Sequence, residues 1–284
     1  MSTGPQEAHG APLPFSLLLP VYAGDRPEYL RRAFTSAVQE QTRRPAEVVV
    51  VRDGPVPDAL TDALVDLAAT SPVPVTVVPL ASNRGLALAL EAGLAACAHD
   101  VVARMDADDV SEPQRFAVQL PLLEAGADLV GSALVEFEDD EQVTAAVRVP
   151  PLEPAAIARR ARLASPFNHP TVVYRRSVVA GAGGYRELPL LEDYWLFARM
   201  IAAGACTANV AEPLVRYRVG AGSYARRGGL RLLRSEVELQ RHLRGEGFTT
   251  WWQFARNLLV RGGYRAVPVG LRRGAYRAVF TRRA

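Results

Sequence analysis

Val101-Val102-Ala103-Arg104-Met105-Asp106-Ala107-Asp108-Asp109 is the stretch on which the reading of this chain turns. A short, unbroken, β-branched run stops abruptly at three carboxylates. Its pattern is that of a buried strand. Carboxylates at the C-terminal tip of such a strand face the crevice where open α/β sheets bind ligands. Three acids within four positions repel one another unless positive charge sits among them, and oxygen donors suit Mg2+ or Mn2+. Asp-rich turns also cap helices, so a cap for a helix starting near Glu112 is the competing reading of Asp108 and Asp109.

Upstream, strands alternate with helices. Apolar runs at Phe15 to Leu19, Glu47 to Val51 and Val73 to Val78 read as strands, joining Val101 to Arg104. Tyr29 to Gln39, Asp58 to Ala69 and Leu86 to Ala96 carry helical periodicity between them. This alternation predicts a parallel, doubly wound sheet over the first ~110 residues. Downstream the pattern loosens. Helices are expected over Gln114 to Glu124, Glu153 to Arg162, Ser177 to Ala180 and Leu191 to Ala203. Extended segments are expected over Leu129 to Glu138, Pro166 to Tyr174 and Val210 to Val219.

Bulk composition narrows the function classes. The 284 residues are 49 % hydrophobic, enough for a full core. The formal charge of +3 conceals an asymmetry: Arg216 to Ala284 holds sixteen Arg and three acids, a net of +13, and the preceding part is net −10. Cys97 and Cys206 lie far apart without metal spacing, which fits a reducing compartment. No apolar run approaches the ~20 residues of a membrane span, and no basic region followed by an apolar core opens the chain. A cytoplasmic protein is expected, with Met1 to Pro14 a loose Pro-, Gly- and Ala-rich tail.

In a parallel sheet the strand tips converge on one crevice. Those tips are Pro20-Val21-Tyr22, Asp53-Gly54, Asn83-Arg84-Gly85 and Asp106 to Asp109. Asp53-Gly54-Pro55 alone is an ordinary turn and Asn83-Arg84-Gly85 alone an ordinary helix entry; the ordered set is specific. With Ser36-Ala37-Val38-Gln39-Glu40-Gln41-Thr42 after the first helix, the set resembles the family 2 glycosyltransferases, inverting enzymes of the GT-A fold. In that family the Gln-Thr pair falls two positions earlier. The resemblance spans roughly Phe15 to Gly229. It implies an α/β, Rossmann-like, mostly parallel sheet with flanking helices, here followed by a helical, basic C-terminal extension. The implied division is a tail over 1–14 and a GT-A domain over 15–229, with a nucleotide-binding half at 15–110 and an acceptor half at 111–229. The extension then runs over 230–284.

The resemblance also implies roles by position. Pro20, Tyr22 and Asp53 would contact the nucleoside, with Asp53 hydrogen-bonding the base. Asn83, Arg84 and Arg104 would lie near the nucleotide or its phosphates. Asp106 and Asp108 would form the Asp-x-Asp box, Asp108 being the more direct ligand of Mn2+ or Mg2+, and Asp109 stays open as a cap. In Leu191-Glu192-Asp193-Tyr194-Trp195-Leu196, Asp193 would be the catalytic base; the competing reading makes Glu192 and Asp193 dipole-favoured acids of a helix start. His169 in Asn168-His169-Pro170-Thr171, with Glu192 and Trp195, is placed near acceptor or diphosphate. Leu214-Val215-Arg216-Tyr217-Arg218 resembles the family's closing strand. Gly220 stands where a metal-proximal His often follows, which puts a third protein ligand in doubt. Arg226 and Arg227, in the Gly-containing loop 220–229, would close over the diphosphate.

The implied function is metal-dependent transfer of a sugar from a nucleotide-diphosphate sugar to a saccharide or lipid-linked acceptor, in cell-envelope or exopolysaccharide synthesis. UDP is the first choice of nucleotide, with dTDP and GDP open. A sugar nucleotidyltransferase needs a Gly-rich basic loop after strand one, and Tyr22-Ala23-Gly24-Asp25-Arg26-Pro27 is not one. A catalytically inactive, membrane-associated scaffold is disfavoured by the intact Asp106, Asp108 and Asp193. No Gly-x-Gly-x-x-Gly turn follows strand one and no Gly-x-Ser-x-Gly elbow is present, which argues against a dehydrogenase and a hydrolase. The basic extension carries Trp251, Phe254, Ala255, Leu258 and Leu259 on one helical face and Gln253, Arg256, Asn257 and Arg261 elsewhere; Leu271 to Val279 repeats the idea. It reads first as a surface for an anionic membrane at the inner face of the cell membrane. Packing on the catalytic domain comes second, and nucleic acid, which is not expected, well behind.

Overall fold

A computed structural model describes residues 13–220 and 230–263. The first four strands are β1 (Phe15–Tyr22), β2 (Glu47–Asp53), β3 (Val75–Pro79) and β4 (Val101–Arg104). The helices between them are α1 (Pro27–Phe34, continued by a π-turn to Gln39), α2 (Asp58–Thr70) and α3 (Leu86–Ala96). All four strands are parallel, in the order β3-β2-β1-β4. After β1 the chain steps outward to β2 and β3, then returns to the other side of β1 for β4. The strand order therefore reverses between β1 and β4, and the crevice of an open α/β sheet forms at such a point.

Both faces of this half-sheet are covered, which is why its strands are unbroken apolar runs. Leu17, Leu19, Val48 and Val50 pack with α1 and α2 residues such as Leu30, Phe34, Leu60 and Leu64. Leu18, Val49 and Val51 point the other way, with Ala89, Leu90 and Leu94 of α3. Helix α3 rides close to the sheet because Gly93 has no side chain: a Cβ there would lie 2.2 Å from Leu18 Cδ1 and 2.7 Å from Val51 Cγ2.

The second half of the sheet is mixed. It comprises β5 (Val110–Ser111), β6 (Leu129–Phe137), β7 (Ala146–Arg148), β8 (Val173–Arg175) and β9 (Thr207–Arg218), flanked by α4 (Arg115–Glu124), α5 (Pro154–Ala161), α6 (Arg176–Gly181) and α7 (Glu192–Ala202). Strand β8 lies antiparallel between β4 and β6, while β9 runs parallel to β6. The β6–β9 register shifts near Ala133, and the far end of β9 pairs antiparallel with β5. A bulge of this kind bends a strand, and it lets one strand serve both partners. The short β5 and β7 carry too few residues to show a period. The segment expected to be extended from Pro166 is broken by a 3-10 turn at His169–Thr171. Thr171 Oγ1 holds that turn by donating to the Asn168 carbonyl, at 2.8 Å.

Helix α8 (Leu230–Gly245) and helix α9 (Trp251–Asn257, continued by a π-turn to Gly262) end the described chain. Leu232, Leu239, Leu243 and Phe248 form a third core with Ala161, Leu188, Leu191, Tyr194, Trp195 and Ala198. Of the readings for the basic extension, α8 thus realises packing on the catalytic domain. The expected repeat at Leu271 to Val279 lies outside the described residues, as do Arg226 and Arg227. No helix among the described residues is long and apolar enough to cross a membrane.

Candidate active site

The acid turn leaves β4 at the strand-order reversal, where Met105 N–H donates to the Leu18 carbonyl of β1 at 3.1 Å. Arg104, the last residue of β4, is fully buried and forks onto Asp106, Nη1 to Oδ2 at 2.9 Å and Nη2 to Oδ1. Burial opposes the guanidinium's charge, but Asp106, with Tyr185 and Asp109 behind it, raises its pKa. The positive charge that three clustered acids require is therefore supplied in part by the chain itself.

Asp108 is otherwise placed. Burial, then the charge of Asp106, push its carboxyl up to about 6. Asp109 is buried outright, and burial and its two acidic neighbours raise it well above the ordinary range. Asp109 is not the helix cap. Helix α4 begins at Arg115 with Gln114 as its N-cap, and Asp109 Oδ1 instead accepts the Arg218 N–H of β9 at 2.9 Å. The Arg218 side chain continues the clasp: Nε donates to the Asp108 carbonyl at 3.0 Å, and the guanidinium lies 3.9 Å from the centre of the Tyr29 ring. Asp25, in the β1–α1 loop, completes the acidic group. Its Oδ2 accepts the Tyr22 N–H at 2.9 Å. Burial first, with Asp108 and Asp106 adding repulsion, push it up to about 7.

The neighbouring tips form a second group. Asp53 is buried at the end of β2 and accepts the N–H groups of Arg84, at 2.6 Å, and Gly85, at 2.9 Å. It thereby ties the β2 tip to the entry of α3. Gly54 permits the approach: its φ is +84°, and a Cβ would lie 2.4 Å from Asn83 N. Asn83 and the Arg84 side chain are exposed, Pro20 is half-buried, and Tyr22 is exposed at the β1 tip.

Helix α7 brings the distant acids in. Leu190, just before it, sits at φ +69°, a left-handed conformation that costs a branched residue about 1–2 kcal/mol. Burial raises the Asp193 pKa; Arg104 pulls it down and Asp106 pushes it up, so Asp193 feels the acid turn directly. Glu192 is pushed up to about 7, by burial and then by Asp193. His169 belongs to the same neighbourhood. Its Nε2 is 2.9 Å from Tyr185 Oη, and burial and Arg104 hold its pKa well below the ordinary value, so the ring is neutral.

Arg104, Asp106, Asp108, His169, Glu192 and Asp193 are thus gathered around one buried charge. Trp195 is not placed with them: its ring stacks 4.1 Å from His242 of α8, and Nε1 donates to Glu246 at 3.1 Å. Two positions along a helix turn a side chain away from its neighbour's face, which is why Trp195 faces α8. Sequence reasoning missed Asp25, Arg218 and Tyr185. Asp25 was within reach of the strand-tip logic, three residues past Tyr22; Arg218 stood out only as part of the closing strand, and Tyr185 carries no local signal.

The donor set can be tested for a divalent cation. Among the described residues no group of three or more His, Cys, Asp or Glu is arranged to hold a metal. Each Asp106 oxygen accepts one hydrogen bond from Arg104 and keeps a further lone pair, Asp108 is a half-buried acid near other acids, and Asp109 Oδ2 has no hydrogen-bond partner. Mg2+ is commonly bound by one or two carboxylates with substrate phosphates filling its other positions, and the residues present fit that mode.

Comparison with known proteins agrees with this architecture. Glycosyl transferase family 2 matches residues 16–181. The amylovoran biosynthesis glycosyltransferase AmsE of Erwinia amylovora is 36 % identical over 260 residues, covering 90 % of this chain and 95 % of that protein. The UDP-Gal:alpha-D-GlcNAc-diphosphoundecaprenol beta-1,3-galactosyltransferase of Escherichia coli is 31 % identical over 270 residues, covering 94 % and 97 %. S. aureus TarS 1–349 in complex with UDP-GlcNAc superposes with a TM-score of 0.64 at 16 % identity, covering 94 % of this chain and 76 % of that one. The mannosyltransferase PcManGT of Pyrobaculum calidifontis, in complex with GDP-Man and Mn2+, gives 0.61 at 17 %, covering 95 % and 78 %. At such identities the two structures speak for the shared fold alone. By sequence match and by fold, this chain belongs to glycosyl transferase family 2 and is a glycosyltransferase of GT-A architecture.

Proposed function

We propose that this chain is a metal-dependent inverting glycosyltransferase. It moves a sugar from a nucleotide-diphosphate sugar, UDP by first choice, to a hydroxyl of a saccharide or lipid-linked acceptor in cell-envelope or exopolysaccharide synthesis. The observation that carries this reading is the meeting of Asp193 with the Arg104–Asp106 pair. One side of the crevice can hold a leaving diphosphate, and the other presents the half-buried Asp193 carboxylate beside the buried Glu192.

Asp193 takes the proton of the acceptor hydroxyl. The acceptor oxygen bonds to the anomeric carbon as the bond from that carbon to the diphosphate oxygen breaks, and the nucleoside diphosphate leaves with the electron pair. One displacement inverts the configuration, so no protein nucleophile is required. Asp108 and Asp106 would hold the divalent cation, which when bound neutralises the leaving diphosphate. Arg104 orients Asp106 through its forked hydrogen bonds, and Glu192, pushed up to about 7 by burial and by Asp193, stands beside the base. Pro20, Tyr22, Asp53, Asn83 and Arg84 line the nucleotide side, and neutral His169 the acceptor or diphosphate side.

UDP and a lipid-linked acceptor are supported by the Escherichia coli relative, whose name specifies UDP-Gal and a diphosphoundecaprenol-linked acceptor. The basic extension then reads as facing an anionic membrane surface, at the inner face of the cell membrane. The test is Asp193→Asn. Donor binding, followed by thermal shift with UDP-sugars and Mn2+, should persist while transfer falls by roughly 10^2–10^4. Normal transfer by this variant would place the base elsewhere.

A further inference from the structure

Helix α9 is inside out. Its one buried residue is polar: Asn257 is 0 % exposed and donates to Gln240 Oε1 at 2.9 Å and the Arg162 carbonyl at 2.8 Å. From the following π-turn, Arg261 forks onto the fully buried Glu236 at 2.7 and 2.9 Å. Its large apolar residues face outward: Trp252 is 85 % exposed, Leu259 77 %, Trp251 67 % and Val260 56 %. A helix covering a soluble core does the reverse. Hydrogen bonds to α8 hold α9 in this orientation, so the patch is fixed rather than frayed. Two adjacent Trp, with an exposed Leu-Val pair two turns on, present large apolar side chains of the kind that mark an interaction site.

We propose that this face of α9 is the membrane anchor, inserting Trp251, Trp252, Leu259 and Val260 at the headgroup level of an anionic bilayer. The proposal rests on the reading of a lipid-linked acceptor and narrows it to one helix face. Charge selects a bilayer over another apolar occupant. Arg256 is exposed on α9, and the Arg244 guanidinium lies 5.0 Å from the centre of the Trp251 ring. The sequence beyond Gly263 holds six Arg and no acid. Trp concentrates at the bilayer–water interface, and Arg close to it is drawn to anionic lipid. The anchor joins the catalytic helix without a break, since α9 is pinned to α8 by Arg261–Glu236 and α8 to α7 by the Trp195–His242 stack.

The test is vesicle flotation of the full chain, without donor or acceptor, against phosphatidylcholine alone and phosphatidylcholine with phosphatidylglycerol. Wild type should float with the anionic vesicles only. The double variant Trp251→Ser/Trp252→Ser should float about tenfold less or lower, with its UDP-sugar thermal shift unchanged. Equal flotation of variant and wild type, or no flotation of wild type with anionic vesicles, overturns the proposal. So does a dimer in sedimentation velocity that the double variant abolishes, since a second copy would then be the occupant. Wild type that floats with the anionic vesicles yet transfers no sugar in a separate assay would count against the catalytic reading and leave the anchor standing.

Discussion

Replacing Asp25 by Asn removes a carboxylate that the crevice holds largely out of water beside two other acids. Burial, reinforced by Asp108 and Asp106, pushes the Asp25 carboxyl from 3.8 up to about 7. A pKa raised in the folded state stabilises the fold fully below the unfolded value, and that stability is lost as pH rises through the folded value. The window is therefore pH 3.8 to about 7. Three units at 1.36 kcal/mol each set an upper bound of about 4 kcal/mol, and partial exposure reduces this to about 2 kcal/mol. Asn keeps an acceptor for the Tyr22 N–H and carries no charge. At pH 4 variant and wild type should melt together. At pH 8 the variant should melt about 4–8 °C higher, at about 2–4 °C per kcal/mol for a chain of this size. The assay is scanning fluorimetry of both proteins from pH 4 to 8 in metal-free buffer. Asp108 and Glu192 titrate in both proteins, so only the difference between the profiles reports on Asp25. Parallel profiles would refute the claim that the fold raises the Asp25 carboxyl.

Three further outcomes are expected. Gly54→Ala should cost about 2–4 kcal/mol, from a Cβ 2.4 Å from Asn83 N and a φ of +84°; chemical denaturation would read it, and a loss under 1 kcal/mol would show that the β2 tip relaxes freely. Arg104→Met deprives Asp106 of its forked partner, and since Asp106 keeps some exposure the loss should be about 2–3 kcal/mol, seen as a melting point lower by about 5–10 °C; an unchanged melting point would mean the pair contributes no net stability. Asp108→Ala should abolish the Mn2+-dependent part of the UDP-sugar thermal shift, and a full Mn2+ response in that variant would remove Asp108 from the metal reading.

Much of this protein was legible along the chain because its signals are local. The unbroken runs of β1, β2 and β4 and the periodicity of α3 need no distant residue to be recognised, and parallel strands joined by crossover helices place their tips together. That is why Asp53, Asn83 and the acid turn could be named in advance. Asp106 and Asp108 differ by two positions, yet one is forked by Arg104 and the other has its carboxyl pushed up to about 6, a division that depends on burial and neighbours. Asp109 resembled a cap until β9 arrived from over a hundred residues away to donate the Arg218 N–H.

The extension shows the same limit from the other side. The apolar face read from the spacing held Trp251, Phe254, Ala255, Leu258 and Leu259, but Phe254 and Leu258 are half-buried and the large apolar residues turned outward are Trp251, Trp252, Leu259 and Val260. Buried hydrogen bonds of Asn257 and Arg261 to α8 set the rotation that leaves these four exposed. The sequence alone determined the strand–helix order, the residues at the strand tips and the family, since these follow from short-range pattern. Tertiary structure alone decided which acids are paired, which side Trp195 serves and that Asp193 shares a field with Asp106, because burial and charge act through space between residues the chain keeps far apart.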